Sequence, residues 1–361
     1  MFHDAFRGRR VFVTGHTGFK GSWLAFWLCR LGARVRGYAL SPGTDPALFD
    51  LLKLERHVEH QIGDVRDSAQ LERSVVDFSP EVVFHLAAQP IVLESFERPR
   101  ETFETNVQGT VNLLEAVRRS PSTRAVVVVT SDKCYERDEA ILAHREGDPL
   151  GGSDPYSASK ACAEIATAAF RRSFFFVDGA PGLATARAGN VIGGGDWAAH
   201  RIVPDAIRAL EKKRALVVRS PTAMRPWQHV LDPLAGYMCL AIRLLERPGP
   251  TGGAWNFGPQ HGQRLTVGEM VDRLHREMGC GSRVVRRQAT PSREQETLGL
   301  CCEKAAAMLD WCPVFGIDEA VHLTAGWYRR HMEGLGAARL CSADLRRYLA
   351  AARRRGDWWA R

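Results

Sequence analysis

A tyrosine and a lysine at helical spacing are the first residues of the sequence that could do acid–base chemistry. Residues 154–160 read DPYSASK, in which Asp154 suits a helix N-cap and Pro155 the first helical position. A helix that begins there places Tyr156 and Lys160 on one face. A nearby ammonium favours a phenolate, so we expect a lowered tyrosine pKa and a side chain able to act as a base. The alternative is a Tyr/Lys stack on the surface of an amphipathic helix.

A second group of reactive side chains follows the most apolar segment of the chain. Residues 130–135 read TSDKCY and follow a run that is almost entirely β-branched, so we expect them at the carboxyl end of a buried strand. Ser131, Asp132 and Lys133 place a hydroxyl, a carboxylate and an ammonium side by side, which is costly to bury without purpose. Catalytic groups are expected at such strand ends. A solvated turn with an Asp–Lys pair is the alternative.

Three glycines at intervals of three occur in residues 14–21, which read TGHTGFKG. A short apolar run precedes them and a helix-like stretch follows, the context in which a glycine loop binds a dinucleotide pyrophosphate at a helix N-terminus. A tight turn without a ligand would not account for the spacing. Lys20 could touch phosphate, but a loop lysine is expected to be exposed. The expected cofactor contacts in this loop are Gly15, Thr17, Gly18, Phe19 and Gly21.

The sequence favours NAD over NADP as the dinucleotide. A Rossmann site usually offers an acid to the ribose 2′-hydroxyl about twenty residues after the glycine loop. Residues 38–41 read YALS there, with no acid and no arginine that would bind a 2′-phosphate. After the third expected strand, Asp64 and the neighbouring Val65 are predicted to contact the adenine.

The elements that must position these groups alternate between strand-like and helix-like segments. Such alternation predicts an α/β fold of the Rossmann type, a doubly wound parallel sheet with helices on both faces. Ligands then bind at the carboxyl ends of the strands. The expected strands are 10–13, 33–40, 82–86, 125–130 and 183–188, and the expected helices are 22–31, 105–118 and 155–171.

The alternation of strand-like and helix-like segments ends after Asn190. Residues 193–195 are glycines, Pro204 suggests another loop, and the segments look shorter and less regular. We therefore predict an NAD-binding Rossmann domain over 1–190 and a smaller, mainly substrate-binding domain over 191–361. The segment 226–258 is expected to pack back on the first domain. The basic tail 334–361 has apolar residues at the spacing of a packed helix. The cleft between the two domains is the expected substrate site.

Composition excludes several classes of protein. A hydrophobic fraction of 45% and a charged fraction of 25% are those of an ordinary soluble protein, and no apolar run is long enough to span a membrane. No export signal is recognised at Met1, so we expect a cytoplasmic protein. The net charge of +8 includes arginine tracts near both ends without interleaved aromatic residues, which argues against nucleic-acid binding. The nine cysteines are scattered without metal-ligand spacing, so no metal is expected.

Together these residues resemble the extended short-chain dehydrogenases/reductases. The shared features are the glycine loop, HLAA at 85–88, Asn106, Ser131, and the Tyr156/Lys160 pair. Within that group the chain looks most like the CDP-glucose 4,6-dehydratases. The supporting segments are 13–22, 130–135, 187–197 and 225–230, which read VTGHTGFKGS, TSDKCY, RAGNVIGGGDW and RPWQHV.

The resemblance implies a reaction in three stages: oxidation at C4 of the glucose, elimination of water across C5–C6, and return of the hydride to C6, giving CDP-4-keto-6-deoxyglucose. Tyr156 would take the 4-hydroxyl proton, Lys160 would hold the nicotinamide ribose, and Ser131 would hydrogen-bond the reacting oxygen. Asp132 would protonate the leaving 6-hydroxyl. Related dehydratases carry a glutamate as the C5 base where Lys133 stands here, and a lysine needs a lowered pKa to act as a base.

The resemblance also implies further contacts and an oligomeric state. The cofactor contacts would include Leu86, Ala87 and Ala88, besides Tyr156 and Lys160. A homodimer or homotetramer is expected. The expected contacts to the nucleotide-sugar substrate are Gln89, Asn190, Arg201, Arg219, Arg225 and Glu294.

Three other functions stay open at this point. A dehydratase for dTDP-glucose or GDP-mannose would use the same scaffold, but those families usually carry the glutamate. A nucleotide-sugar 4-epimerase needs no acid and base for elimination, so Asp132 and Lys133 argue against it. A non-catalytic NAD-binding regulator would need only the glycine loop, and the presence of Ser131, Tyr156 and Lys160 weighs against it.

Overall fold

A computed structural model of the chain describes residues 1–136, 138, 141–177, 179–218, 220–260, 264–279, 284–286 and 299–361, with the backbone alone described for 284–286. Within these ranges no helix has the length and apolar character needed to cross a membrane. The strands are β1 (Arg10–Thr14), β2 (Arg34–Ala39), β3 (Glu59–Ile62), β4 (Val82–His85), β5 (Ala125–Val129), β6 (Gly182–Ala188), β7 (Val191–Ile192), β8 (Leu216–Val218), β9 (Met224–Arg225), β10 (Gln228–His229), β11 (Gly253–Phe257), β12 (Leu265–Thr266) and β13 (Val284–Arg286).

Helices connect and flank the strands. They are α1 (Phe19–Arg30), α2 (Leu48–Leu51), α3 (Ser68–Phe78), α4 (Val92–Glu97), α5 (Pro99–Phe103), α6 (Gly109–Arg118), α7 (Pro155–Phe174), α8 (Ile202–Glu211), α9 (Leu231–Glu246), α10 (Pro248–Thr251), α11 (Val267–Met278), α12 (Glu303–Leu309), α13 (Ile317–Met332) and α14 (Ala337–Arg355). Short 3-10 turns occur at Phe2–Asp4, Leu54–Arg56, Asp132–Cys134 and Trp358–Ala360, and a π-helical turn at Glu104–Gln108.

The central sheet has seven strands in the order β3-β2-β1-β4-β5-β6-β11, and every neighbouring pair is parallel. The strand order reverses between β1 and β4, which in doubly wound sheets is the crevice where ligands bind. The predicted parallel α/β sheet of the Rossmann type is confirmed. The loops after β1, β4 and β5 therefore lie together at the edge of the sheet formed by the carboxyl ends of the strands.

Both faces of the sheet are buried, because alternate residues of each central strand pack into two different apolar clusters. Val83 and Val126 belong to the cluster that includes residues of α3 and α6, whereas Val82 and Val127 belong to the larger cluster with residues of α1 and α9. Burial on both faces explains why β5 reads as an uninterrupted apolar run.

A strand from the later part of the chain completes the sheet. β11 pairs along its whole length with β6, from Gly253 beside Ala184 to Phe257 beside Ala188. Helix α9 contacts both β5 and β6. Strand β11 thus belongs to the segment 226–258 that was expected to pack on the first domain. The division into two domains near residue 190 stays a prediction.

The helix expected over 105–118 is present, although it starts as the π turn and continues as α6, where Thr110 Oγ1 donates to the Asn106 carbonyl at 2.7 Å. Two other expectations from the sequence were wrong. Pro204 lies in the first turn of α8, where a proline costs little, rather than in a loop. The chain after residue 190 is also more regular than expected, because α9 and α13 are helices of 16 residues each.

The two ends of the described chain pack against each other. Phe2 stacks on Trp359 with ring centroids 5.4 Å apart, and Trp359 also contacts Trp27 of α1 and Tyr348 of α14. All four side chains are fully buried. The predicted helix in the basic tail is α14, and this cluster attaches it to the sheet through α1.

Replacement of Trp359 by alanine is expected to destabilise the protein, because it leaves a cavity in this aromatic cluster. We expect the free energy of unfolding, measured by urea denaturation, to fall by about 3–5 kcal/mol. Phe176→Ala removes a ring that is 80% exposed and should change the same quantity by less than about 0.5 kcal/mol. Equal effects of the two substitutions would contradict this account of the packing.

Candidate active site

The glycine loop has a backbone that side chains would obstruct at two positions. Gly15 has φ +73°, and a Cβ there would lie 2.7 Å from the Ala87 nitrogen. A Cβ on Gly21 would lie 2.1 Å from the Gly15 carbonyl oxygen, so α1 could not pack at its present distance. On Gly18 the nearest contact would be an ordinary 3.5 Å. Gly18 is also the N-cap of α1 and offers no side chain to its amides, so this helix N-terminus fits a pyrophosphate.

A hydrogen-bonded chain beneath the loop fixes β1 against β4. Thr14 Oγ1 accepts from the amides of Leu86 and Ala87 at 3.1 and 3.2 Å and lies 2.7 Å from His85 Nδ1. The Thr14 hydroxyl therefore donates its hydrogen bond to His85 Nδ1. The Nε2–H group of His85 then donates to Thr110 Oγ1 at 3.2 Å. Burial, followed by the charge of Lys160, lowers the pKa of His85 to about 3. The histidine is therefore neutral and structural at physiological pH.

The side chains after β2 and β3 are engaged within the protein. The Tyr38 hydroxyl contacts the Asp64 carbonyl at 3.0 Å, and the Asp64 carboxylate pairs with Arg66 at 2.6 Å. Burial acts to raise the pKa of Asp64, but the hydrogen bonds from Arg66 outweigh it, so the pKa is lowered. Val65 is buried, and a Cβ on Gly109 would lie 2.6 Å from its Cγ2 atom. Thr17, predicted as a cofactor contact, donates its hydroxyl to the Leu40 carbonyl at 2.9 Å.

The turn after β5 and the start of α7 bring the predicted catalytic side chains together. Ser131 caps the turn by accepting from the Lys133 amide at 3.2 Å and donates to Asp132 Oδ1 at 3.0 Å. Its hydroxyl also acts on Tyr156, whose pKa it lowers. Asp154 is the N-cap of α7 and accepts from the Ser157 amide at 2.9 Å, as predicted.

The expected lowering of the Tyr156 pKa is wrong in this structure. Burial raises the pKa of Tyr156 to about 12, and the hydrogen bond with Ser131 opposes it. Lys160 is itself buried: desolvation lowers its pKa to about 8, and its Nζ lies 3.4 Å from the Val129 carbonyl oxygen. Burial therefore moves the two pKa values apart, because it disfavours the charged form of each group.

Asp132 is a buried acid with one free oxygen. It is 3% exposed, and no partner in the described chain reaches its Oδ2 atom. A Cβ on Gly189 would lie 2.7 Å from Oδ2, so the glycine makes room for the carboxyl group. Burial raises the pKa of Asp132, while Lys133 and the Ser131 hydrogen bond oppose the shift. A carboxyl group with a raised pKa is suited to donate a proton.

Lys20 is a residue near the reacting groups that the sequence argument missed. It lies in the first turn of α1 and is half-buried, so the expectation of an exposed loop lysine was wrong. Burial lowers its pKa to about 7, with further lowering by Arg201 and Lys160. Its place in the first turn, directly before Gly21, was the signal that could have located it near the reacting groups.

The remaining predicted residues lie around this centre. Arg201 forms an ion pair with Asp196 at 2.9 Å and acts electrostatically on Tyr156. Arg225 is buried and acts on Asp132. The Gln89 side chain donates to Thr102 at 2.9 Å. Half-buried positions are occupied by Phe19, Ala88, Lys133 and Asn190.

Two predicted substrate contacts, Arg219 and Glu294, lie outside the described residues. Within the described part of the chain, no cluster of histidine, cysteine, aspartate or glutamate could hold a metal ion.

The class of protein is the extended short-chain dehydrogenases/reductases. Its defining features here are a glycine loop at the switch point of a parallel sheet and the group Ser131, Tyr156 and Lys160 at the next strand end. More narrowly, the chain belongs to the GDP-mannose 4,6-dehydratase family, whose model matches residues 12–324. It is 44% identical over 352 residues to a CDP-glucose 4,6-dehydratase of Salmonella typhimurium, covering 96% of this chain and 98% of that protein. The resemblance found in the sequence is thus confirmed.

Solved structures agree on the fold. A UDP-glucose 4-epimerase from Thermus thermophilus, solved in complex with NAD, is 26% identical with a TM-score of 0.75, covering 89% of this chain and 99% of its own. A dTDP-glucose 4,6-dehydratase from Streptomyces venezuelae, with NAD bound, has a TM-score of 0.78 at 23% identity, covering 91% and 99%. The scaffold is therefore shared by dehydratases and epimerases, and the choice between them depends on the side chains of the site.

The glycine loop yields a paired prediction. Gly21→Ala places a methyl group against the Gly15 carbonyl, so we expect both a lower melting temperature and loss of binding to added NAD. Gly18→Ala meets only an ordinary contact, so we expect a nearly unchanged melting temperature with weakened NAD binding. Calorimetry and thermal unfolding measure the two quantities. A Gly18→Ala protein that binds NAD as the parent does would contradict the proposed phosphate position.

Proposed function

We propose that this protein is an NAD-dependent hydro-lyase that converts CDP-glucose to CDP-4-keto-6-deoxyglucose. NAD, when bound at the glycine loop, supplies the chemistry that removes hydrogen from C4 and returns it to C6, so the cofactor is not consumed. The residues of the chain position the sugar and move its protons. Such a reaction uses one site for oxidation, elimination and reduction.

The observation that carries this proposal is Asp132. Its carboxyl group is buried beside Ser131 and Tyr156, has a raised pKa, and keeps Oδ2 without a partner in the described chain. An epimerase must oxidise C4 but has no leaving hydroxyl to protonate. A buried acid with a raised pKa within the oxidation site supports elimination instead.

Each residue of the group then has a part in the sequence of proton transfers. Ser131 and Tyr156 hydrogen-bond the 4-hydroxyl, and Tyr156, in its phenolate form, takes the hydroxyl proton as C4 is oxidised. Lys160, charged at neutral pH, orients the nicotinamide ribose. The 4-ketone acidifies the C5 proton, which Lys133 removes as the neutral amine, and Asp132 protonates the departing 6-hydroxyl so that it leaves as water.

We propose that residues of the later part of the chain bind the phosphates and the nucleobase of the substrate. Arg225 and Arg201 supply positive charge close to Asp132 and Tyr156, and a guanidinium suits a diphosphate. Gln89 and Asn190 are the proposed contacts to the sugar. The choice of cytidine is supported by the 44% identity to a CDP-glucose 4,6-dehydratase over nearly the whole chain.

We further propose that the enzyme acts in the cytoplasm as a homodimer or homotetramer. The eight described cysteines are all free thiols, as expected in a reducing compartment. Sedimentation of the purified protein would give the oligomeric state, and a monomer would contradict that part of the proposal.

The substrate is tested by incubating the protein with NAD and, separately, CDP-glucose, dTDP-glucose, UDP-glucose and GDP-mannose, and following each by mass spectrometry. We expect loss of one water from CDP-glucose alone, without accumulation of NADH. Water loss from another sugar would keep the mechanism and overturn the choice of cytidine. Isomerisation without water loss would indicate an epimerase.

Asp132→Asn should separate oxidation from elimination. Asparagine keeps the size of the side chain but cannot donate a proton as a carboxylic acid does, so we expect dehydration to slow by about a hundredfold or more. A sugar lighter by two hydrogens should still form on the enzyme, detected by mass spectrometry after quenching. Asp77→Asn, an exposed change on α3, is the control and should leave the rate unchanged. Full dehydration by Asp132→Asn would rule out this acid.

A further inference from the structure

A buried ion pair behind the catalytic group has no part in the mechanism described so far. Arg187 of β6 and Glu164 of α7 lie 2.7 Å apart, and both side chains are only 3% exposed. Burying two charges is expensive and often gives no more stability than apolar packing. The pair therefore needs an explanation beyond stability.

The Glu164 carboxylate accepts hydrogen bonds from three side chains. Thr130 Oγ1 donates to Oε1, while Thr185 Oγ1 and Arg187 donate to Oε2, each at 2.7 Å. Such a set stabilises the ionised carboxylate. Arg187 is held in turn by the Tyr135 hydroxyl at 2.8 Å, and its guanidinium lies 4.7 Å from the centre of the Tyr135 ring. Glu164 is thus held in one position within a buried ion pair.

This charge lies next to Lys160. Glu164 follows Lys160 by four residues on α7, so the two share a face of the helix. Thr130, which holds Glu164, is directly followed by Ser131 in the chain. The carboxylate therefore connects the helix that carries Tyr156 and Lys160 with the strand end that carries Ser131.

The other titratable groups that act on Lys160 do not supply a negative charge. His85, at the end of β4, is neutral because burial lowers its pKa to about 3. Burial also raises the pKa of the Cys134 thiol, in the turn after β5, well above its ordinary value. Lys20 of α1 is a like charge. Glu164 is the leading interaction that opposes the loss of the Lys160 charge by burial.

A cavity of about 340 Å³ reaches the ion pair. Its lining includes Glu164, Arg187, Thr185, Thr167 and Arg171. Small solutes can therefore approach Glu164 without passing through the substrate cleft.

We propose that Glu164, held by Arg187, is a positioning residue that keeps the Lys160 ammonium charged and in place for the reaction. It touches neither substrate nor cofactor and acts through Lys160. Without the charge of Glu164, Lys160 would become neutral at a lower pH. Lys160 would then no longer bind the ribose as an ammonium. This inference rests on the proposed function for its kinetic consequence, but its effect on Lys160 does not depend on the substrate.

The test compares Glu164→Gln with the parent and with Thr167→Val, a change in the same cavity wall whose hydroxyl bonds only its own helix at Ala163. The rate of acetylation of Lys160 by acetic anhydride, followed by mass spectrometry as a function of pH, reports when the amine becomes neutral. We expect the midpoint in Glu164→Gln to move about one unit toward lower pH. Thr167→Val should keep the parent midpoint. An unchanged midpoint in Glu164→Gln would overturn the proposal.

Activity provides the second readout. The alkaline limb of the kcat profile should move to lower pH by the same amount, with about fivefold loss at pH 8 and little change near pH 6. A uniform loss at every pH, with an unmoved labelling midpoint, would indicate a merely structural role. If the parent dehydrates no nucleotide sugar, the proposed function fails, whereas the labelling midpoint still decides the role of Glu164.

Two further variants cover the case in which Arg187, left unpaired, prevents folding. The double variant Glu164→Gln with Arg187→Met removes both charges and should show the same shift in Lys160 labelling. Glu164→Ala opens space beside the cavity, so added formate should return the labelling midpoint toward that of the parent. Absence of the shift in the double variant, or of any effect of formate on a shifted Glu164→Ala protein, would contradict a role for the carboxylate charge.

Discussion

The close contact between Gly21 and the carbonyl of Gly15 determines where α1 lies on the central sheet. Without side chains at these two positions, the helix approaches β1 closely enough that its N-terminal amides face the crevice between β1 and β4. The same approach carries Lys20 toward Asp132 and Lys160. Both the phosphate cradle and the distribution of charge in the site depend on this single backbone contact.

Burial then sets the acidity of the groups that the sheet brings together. It raises the pKa of Asp132 and of Tyr156 and lowers that of Lys160, so the neutral form of each is favoured. Charges in such an environment act strongly over short distances because little water screens them. A site of this kind can be adjusted by a neighbour that never meets the substrate, and Glu164 lies in that position.

The parts of this structure that follow from local sequence were predictable. Five of the seven strands of the sheet, the Asp154 cap and the grouping of Ser131 with Tyr156 depend on apolar runs, helix-start residues and parallel pairing. The π turn at Glu104–Gln108, the burial of Lys20 and the raised pKa of Tyr156 depend on packing between distant segments. Helix α14 was predicted from its apolar spacing, whereas α9 was missed because it is buried on nearly every side and its sequence carries little alternation of polar and apolar residues.

The pairing of β11 with β6 also bears on how the protein is made. During synthesis Gly182–Ala188 leaves the ribosome well before Gly253–Phe257. One edge of β6 therefore stays unpaired until β11 emerges. An unpaired edge of buried residues can add a strand from another chain. A nascent chain halted between these two strands would therefore be a target for chaperones, although it already carries Ser131, Tyr156 and Lys160.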